Sequence, residues 1–289
     1  MKTREKDETT PEAVIQSVIA WIIIITVICV TIGVIVNHSR NNTPVPQEEQ
    51  TVNDTPSATF GKIYNNAQTV VALGDSTMAL ADGVNANSKA LCHQEASTWV
   101  DMLGQNIANL ACPGASVTDM IAQVETSGAI GGTTKRVFIT VGTNGYRRKN
   151  SVADMTNKVQ KLVDEVRNRA PKSEIIFVGY TPIRYDTHGE CMSKSYEKQA
   201  RNYDIYHQMG NYSMKQVAVS NRLHFIPIDD IEYDICDKKN TIVWLPKQKG
   251  TAWHTTSYGH MLIAHRVFEH TGTVQNSRLS EDTIPHSAY

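Results

Sequence analysis

A short apolar strand breaks into a Gly-Asp-Ser turn at Thr69-Val70-Val71-Ala72-Leu73-Gly74-Asp75-Ser76-Thr77. A serine at such a break lies between a buried strand and a helix, at the edge of the predicted sheet. The helix N-terminus supplies backbone N–H groups and a dipole that favour developing negative charge. Ser76 is therefore a candidate nucleophile, although the position also suits a serine that only caps the helix.

Apolar strands alternate with helices between residues 70 and 270. The patterns predict strands at 70–73, 107–111, 136–141, 174–180 and 224–228, and helices at 97–107, 117–124, 152–169, 196–221 (interrupted near Gly210) and 257–270. This alternation predicts an α/β fold in which a parallel sheet is covered on both faces. Active sites of such folds lie at the carboxyl ends of the strands.

Three further residues near predicted element ends suit acyl transfer, which needs a nucleophile, a base and donors for the oxyanion. Gly114 can bring its backbone N–H close to a ligand, and Asn144 can donate from its amide side chain. His254, just ahead of the last predicted helix, is the candidate base. Taken singly, each also fits an ordinary role: a turn glycine, a turn asparagine, or one of ten histidines.

In combination, the four segments resemble blocks I, II, III and V of the SGNH hydrolases, also called the GDSL esterase/lipase family. Ser76, Gly114, Asn144 and His254 match, in order, the residues that name the family, and the resemblance covers patches of residues 68–268. It implies a three-layer αβα, flavodoxin-like fold and a Ser76–His254 catalytic pair. It also implies an oxyanion hole made by the N–H groups of Ser76 and Gly114 and the side chain of Asn144.

Two positions depart from the family pattern. Gly145 stands where the third block usually has an aspartate, and Thr251 stands where the last block usually has the aspartate that orients the histidine. A histidine base needs an acceptor that fixes its tautomer. We predict that the main-chain carbonyl of Thr251 is this acceptor. The alternative is an acid from the list Asp230, Glu232, Asp234 and Asp237.

The N-terminal region contains an apolar segment, and residues 18–36 carry no charged side chain. Since about 20 apolar residues span a bilayer, we predict one transmembrane helix at 13–36, with a cleaved signal peptide as the alternative. Lys2, Arg4 and Lys6 precede the segment, so residues 1–12 are predicted to be cytoplasmic and the rest extracytoplasmic. Composition then predicts a flexible stalk at 37–66, the hydrolase domain at 67–270 and a disordered tail at 271–289.

Four cysteines lie outside the predicted membrane segment: Cys92, Cys112, Cys191 and Cys236. An even number in an exported domain predicts disulfides, although four reduced, buried thiols are the alternative. Three pairings are possible, and we favour Cys92–Cys112 and Cys191–Cys236 because each pair brackets a local stretch. The resemblance to actinobacterial secreted esterases of the same family also supports Cys92–Cys112.

Composition and motifs restrict the function classes. Lys and Arg number 28 and Asp and Glu 29, and the net charge of −1 gives no electrostatic reason to expect nucleic acid. No nucleotide-binding motif and no Cys-x-x-Cys spacing occurs, so we expect no nucleotide, metal or other cofactor. We therefore predict a membrane-anchored, extracytoplasmic serine esterase that hydrolyses acylated glycans or lipids through an acyl-enzyme. The alternatives are an O-acyltransferase acting on envelope glycans and an inactive envelope-binding module.

Overall fold

The computed structural model describes residues 63–80, 92, 97–104, 106–147, 149–184, 194–231, 233–234 and 254–272. The main strands are β1 (Val70–Gly74), β2 (Ile107–Asn109), β3 (Arg136–Thr140), β4 (Glu174–Val178) and, later in the chain, β6 (His224–Ile226). They form a parallel sheet in the order β2-β1-β3-β4-β6. The predicted α/β fold is confirmed, and β2, β3, β4 and β6 end one or two residues earlier than the apolar pattern indicates.

Seven helices occur in the described ranges: α1 (Ser76–Ala79), α2 (Trp99–Leu103), α3 (Val117–Thr126), α4 (Thr143–Arg147), α5 (Val152–Arg169), α6 (Lys194–Asn221) and α7 (Ser257–Thr271). The bounds of α5 are the predicted ones, because Ser151 caps its first turn and a buried apolar stripe runs along its length. Helix α2 is shorter than predicted. Its last residue is followed by Gly104, whose φ of 150° does not continue a helix.

Alternate side chains of each strand enter two apolar clusters, one on either face of the sheet. In β3, Val137 and Ile139 enter the first cluster and Phe138 enters the second. Helices α3, α5 and α6 cover the first face, and α1, α2 and α7 cover the second. The domain is therefore a three-layer αβα structure.

The predicted interruption of the long helix near Gly210 is wrong, because α6 is continuous from Lys194 to Asn221. Gly210 serves close packing instead. A Cβ added to Gly142, in the turn after β3, would lie 2.7 Å from the Cα of Gly210. The glycine allows α6 to approach the carboxyl end of the sheet without breaking the helix.

Two short strands lie beside the main sheet and were not predicted. They are β5 (Ile183–Arg184) and β7 (Tyr233–Asp234), which pair in parallel. Neither strand carries an apolar pattern of its own, so only the tertiary structure identifies them.

The predicted regions at the two ends of the chain lie mostly outside the described residues. These are the cytoplasmic segment 1–12, the anchor 13–36, most of the stalk 37–66, and the tail beyond residue 272. In the part of the chain that is described, no helix has the length and apolar character needed to cross a membrane. Tyr64 belongs to the end of the predicted stalk, and its backbone N–H donates to the Ser127 carbonyl at 2.7 Å. The domain therefore begins a few residues before the predicted boundary at residue 67.

Candidate active site

The Gly-Asp-Ser turn lies at the carboxyl end of β1, the strand between β2 and β3. Asp75 caps α1, and its Oδ1 accepts hydrogen bonds from the backbone N–H of Thr77 at 2.9 Å and from the Thr77 hydroxyl at 2.7 Å. Ser76 is the first residue of α1 and is half-buried. A Cβ on Gly74 would come within 2.6 Å of the Met78 sulfur. The turn therefore requires a glycine before the capping aspartate.

The loop that carries Gly114 follows β2 and packs against the same turn. The backbone N–H of Cys112 donates to the Gly74 carbonyl at 3.0 Å. Gly114 is exposed, and its φ of 82° is a left-handed conformation that favours glycine. No atom lies within 4 Å of a Cβ placed on it, so backbone conformation and not crowding favours glycine here.

Asn144 lies in α4, directly after β3, and is buried. Its Nδ2 donates to the Ala115 carbonyl at 3.0 Å, in the loop after β2. Because β1 lies between β2 and β3, this hydrogen bond passes over the end of β1, where Ser76 begins α1. An amide nitrogen has two hydrogens, so a second one remains for an oxyanion. Three predicted site residues thus occupy the carboxyl ends of three adjacent strands.

His254 lies just ahead of α7, whose N-cap is Thr256, and is half-buried. The predicted acceptor Thr251 lies outside the described residues, as do Glu232, Asp237 and the side chain of Asp234. Asp230 is described, and both its carboxylate oxygens accept from Arg266, at 2.9 and 2.5 Å.

This ion pair bears on the choice of acceptor for His254. The hydrogen bonds from Arg266 lower the pKa of the Asp230 carboxyl. Arg266 is nine residues from Ser257, about 13 Å along α7 from the end nearest His254. The geometry therefore pairs Asp230 with Arg266 and leaves the Thr251 carbonyl and the other three acids as candidates.

Tyr180, just beyond the end of β4, is a site residue that the sequence patterns did not single out. Its hydroxyl donates to Oδ2 of Asp75 at 2.8 Å and accepts from the backbone N–H of Thr143 at 3.4 Å. Burial, and then the charge of Asp75, raises the pKa of Tyr180 well above its usual range, so the phenol keeps its proton. Burial also raises the pKa of Asp75, and the hydrogen bonds from Thr77 and Tyr180 partly offset this. The sequence signal that could have identified Tyr180 is a polar side chain at the carboxyl end of a predicted strand.

A small pocket lies beside this tyrosine, with a volume of about 20 Å³, which is room for one water molecule. His207 lines it and stacks on the Tyr180 ring, with 4.7 Å between ring centroids. The Nδ1–H of His207 donates to the Thr181 carbonyl at 2.8 Å, and burial lowers the pKa of the imidazole to about 4. His207 is therefore neutral near pH 7 and supports the tyrosine ring.

The disulfide between Cys92 and Cys112 is present, which confirms that prediction. Cys112 is buried two residues before Gly114, so the bridge holds the loop that carries the candidate oxyanion donor. Cys191 and Cys236 lie outside the described residues. Within the described ranges, no group of three or more His, Cys, Asp or Glu side chains is arranged to hold a metal ion.

Comparison with known families agrees with this geometry. Residues 72–262, about two thirds of the chain, match the family model of the GDSL-like lipases and acylhydrolases. The chain belongs to this family. Members of the GDSL-like family hydrolyse carboxylic esters, and the chain is a carboxylic ester hydrolase of this type. No curated protein matches it.

Two solved structures of lipolytic enzymes have a similar fold. An extracellular lipase from Streptomyces rimosus is 18% identical with a TM-score of 0.56, and the match covers 72% of this chain and all of the lipase. A phospholipase A1 from Streptomyces albidoflavus NA297 is also 18% identical, with a TM-score of 0.53, covering 68% of this chain and 95% of that one. At such low identity, the likeness extends to the fold of this GDSL hydrolase and not to its substrate.

Proposed function

We propose that this GDSL hydrolase is a serine esterase in which Ser76 is the nucleophile and His254 the general base. The observation that carries the proposal is the hydrogen bond from Asn144 to the Ala115 carbonyl. It brings the Asn144 amide and the Gly114 loop together at the carboxyl end of β1, the strand that leads into Ser76. A nucleophile beside two kinds of oxyanion donor is what acyl transfer requires.

The reaction begins when Oγ of Ser76 attacks the ester carbonyl carbon and His254 takes the hydroxyl proton. The N–H groups of Ser76 and Gly114 and the second amide hydrogen of Asn144 stabilise the oxyanion. Loss of one such donor typically lowers kcat by about 10²–10³-fold. His254 then protonates the leaving alcohol. Water attacks the acyl-enzyme, His254 accepts a proton from that water, and Ser76 is regenerated as the acid is released.

The proposed location rests on the apolar N-terminal segment, and the proposed substrate class rests on that location. An anchor at residues 13–36 with Lys2, Arg4 and Lys6 on its cytoplasmic side would hold the domain outside the membrane. We infer that esters within reach of the membrane surface, on acylated glycans or lipids, are the substrates. The Thr251 carbonyl is proposed to hold the imidazole of His254 in place of the usual aspartate.

The proposal is tested with p-nitrophenyl esters, from acetate to longer acyl chains. We expect hydrolysis by the wild type and a loss of at least about 10³-fold in kcat for Ser76→Ala, because the nucleophile is removed. Ser173→Ala is the matched control. Its hydroxyl donates a hydrogen bond to the Ala170 carbonyl. Ser173 lies just ahead of β4, at the opposite end of the strand from the site. That variant should keep wild-type activity.

Two further measurements separate the alternatives. A fluorophosphonate probe should label the wild type and Ser173→Ala but not Ser76→Ala. A wild type that neither hydrolyses esters nor takes the label would identify a non-catalytic module and contradict the proposal. Transfer of the acyl group to an added polysaccharide, in preference to water, would identify an O-acyltransferase.

A further inference from the structure

One hydroxyl group connects the two turns that carry the proposed nucleophile and the proposed oxyanion donor. The Tyr180 hydroxyl donates to Asp75, the residue before Ser76, and accepts from the N–H of Thr143, the residue before Asn144. Asp75 and Tyr180 are each at most 2% exposed. The connection runs through side chain and backbone atoms of buried residues.

The tyrosine is held in place by helix α6. The Asn211 side chain accepts from the Tyr180 N–H at 2.6 Å and donates to the Tyr180 carbonyl at 2.8 Å. His207 stacks on one face of the ring, and the Cα of Gly210 packs so closely that an added Cβ would lie 2.8 Å from a ring carbon. With both backbone and ring fixed, the hydroxyl has a defined position.

We propose that Tyr180 is a positioning residue for the reaction at Ser76, an inference that rests on the proposed function. The hydroxyl sets the separation between the nucleophile turn and the turn of Asn144. An error of about 1 Å in such a separation can lower the rate about 10²-fold, because the nucleophile and the oxyanion donor no longer meet the same carbonyl group. Tyr180 acts through Asp75 and Thr143 and does not touch the substrate.

Tyr180→Phe tests this role, because it keeps the ring and its stacking and removes only the hydroxyl. We expect kcat to fall about tenfold while KM stays within about twofold, since the binding surface is unchanged and the transition-state geometry is lost. The rate of fluorophosphonate labelling should fall by a similar factor. Labelling depends on the placement of Ser76 and the oxyanion donors but not on deacylation.

Ser127→Ala is the matched control. Its buried hydroxyl accepts from the backbone N–H of Ala129 at 3.2 Å, after the end of α3, and contacts neither Asp75 nor Thr143. It should lower the melting temperature as Tyr180→Phe does while kcat stays within twofold of the wild type. A general loss of packing would lower kcat equally in both variants and would overturn the inference. So would a Tyr180→Phe enzyme with wild-type kcat.

Asp75→Asn tests the same connection from its other end and replaces Tyr180→Phe if that variant does not fold. An amide can still accept from the Thr77 N–H, while its NH₂ group replaces the oxygen that receives the Tyr180 hydroxyl. The same fall in kcat with unchanged KM is expected, and wild-type kcat would overturn the inference. A wild type without hydrolysis or labelling would instead overturn the proposed function, and the inference with it.

Discussion

Asp75 places a buried carboxyl group beside the proposed nucleophile, where an uncompensated negative charge would repel an oxyanion. Hydrogen bonds from the Thr77 N–H, the Thr77 hydroxyl and the Tyr180 hydroxyl surround it. They offset part of the effect of burial, which raises the pKa of Asp75. At the scale of single residues, the site therefore depends on one donor, the Tyr180 hydroxyl, that lies outside the Gly-Asp-Ser segment.

His207 gives a prediction about acid stability. Burial lowers the pKa of His207 to about 4 in the folded protein, against 6.5 for an ordinary histidine. Between these values the unfolded chain binds a proton that the folded protein does not, so stability falls as the pH falls from 6.5 to about 4. The shift corresponds to about 3 kcal/mol over this window. His207→Asn keeps a donor for the Thr181 carbonyl and cannot titrate.

Urea unfolding at several pH values provides the measurement. The midpoint of the wild type should fall more steeply between pH 6.5 and pH 4 than that of His207→Asn. Asp75 and Asp204, whose pKa values are raised mainly by burial, act in the opposite direction. Both proteins contain these acids, so the difference in slope reports His207. Equal slopes would contradict the assignment of a buried, neutral imidazole.

At the scale of elements, the sequence correctly predicted those helix ends that neighbouring residues determine. Helix α5 has an N-cap at Ser151 and a stop at Pro171, and both its ends were predicted correctly. The predicted interruption of α6 is wrong, because it assumed that a glycine within a helical pattern marks a break. Gly210 instead allows α6 to pack closely against Tyr180, 30 residues away in sequence. Tyr180 itself was missed, since its role depends on two turns that only the folded sheet brings together.

Gly210→Ala tests this explanation of α6. Alanine favours a helix over glycine by about 1 kcal/mol, whereas crowding a packed site costs about 1–3 kcal/mol. The added Cβ would meet the Tyr180 ring at 2.8 Å and the Val141 carbonyl oxygen at 3.5 Å. We expect crowding to prevail, with a net loss of about 1 kcal/mol in unfolding free energy and a lower kcat.

The control for this variant is Ser220→Ala, on the exposed side of α6. It raises helix propensity without touching Tyr180, so neither kcat nor stability should decrease. If Gly210→Ala were more stable than the wild type with unchanged kcat, helix propensity would outweigh packing and the contact would be unimportant. Chemical denaturation and ester hydrolysis on both variants distinguish these outcomes.

At the scale of the whole molecule, the order β2-β1-β3-β4-β6 places β1 where the chain switches from one side of the sheet to the other. Loops after the strands on either side of such a switch point diverge and leave a crevice at the carboxyl edge. Ser76, the Gly114 loop and Asn144 all follow strands that meet there. The sequence motifs predicted these residues, and the topology explains why they converge on one edge.

The Cys92–Cys112 disulfide also acts on the whole molecule, because it restricts the unfolded chain. With a sequence separation of 20, the closed loop should contribute about 3 kcal/mol in the chain-entropy model. We expect the double variant Cys92→Ala/Cys112→Ala to melt about 6–12 °C below the oxidised wild type. Replacing both cysteines leaves no unpaired thiol from this bridge, and calorimetry under oxidising conditions gives the comparison.

Reduction by dithiothreitol distinguishes the bridge from the packing of the cysteine side chains. The reductant should lower the melting temperature of the wild type by more than that of the double variant, in which only the predicted Cys191–Cys236 bridge can still be reduced. Because Cys112 lies two residues before Gly114, loosening this loop should also lower kcat, through the proposed oxyanion donor more than through substrate binding. A reduced wild type that kept both its melting temperature and its kcat would mean that the Gly114 loop is fixed by hydrogen bonds such as that from Cys112 to Gly74, and not by the disulfide.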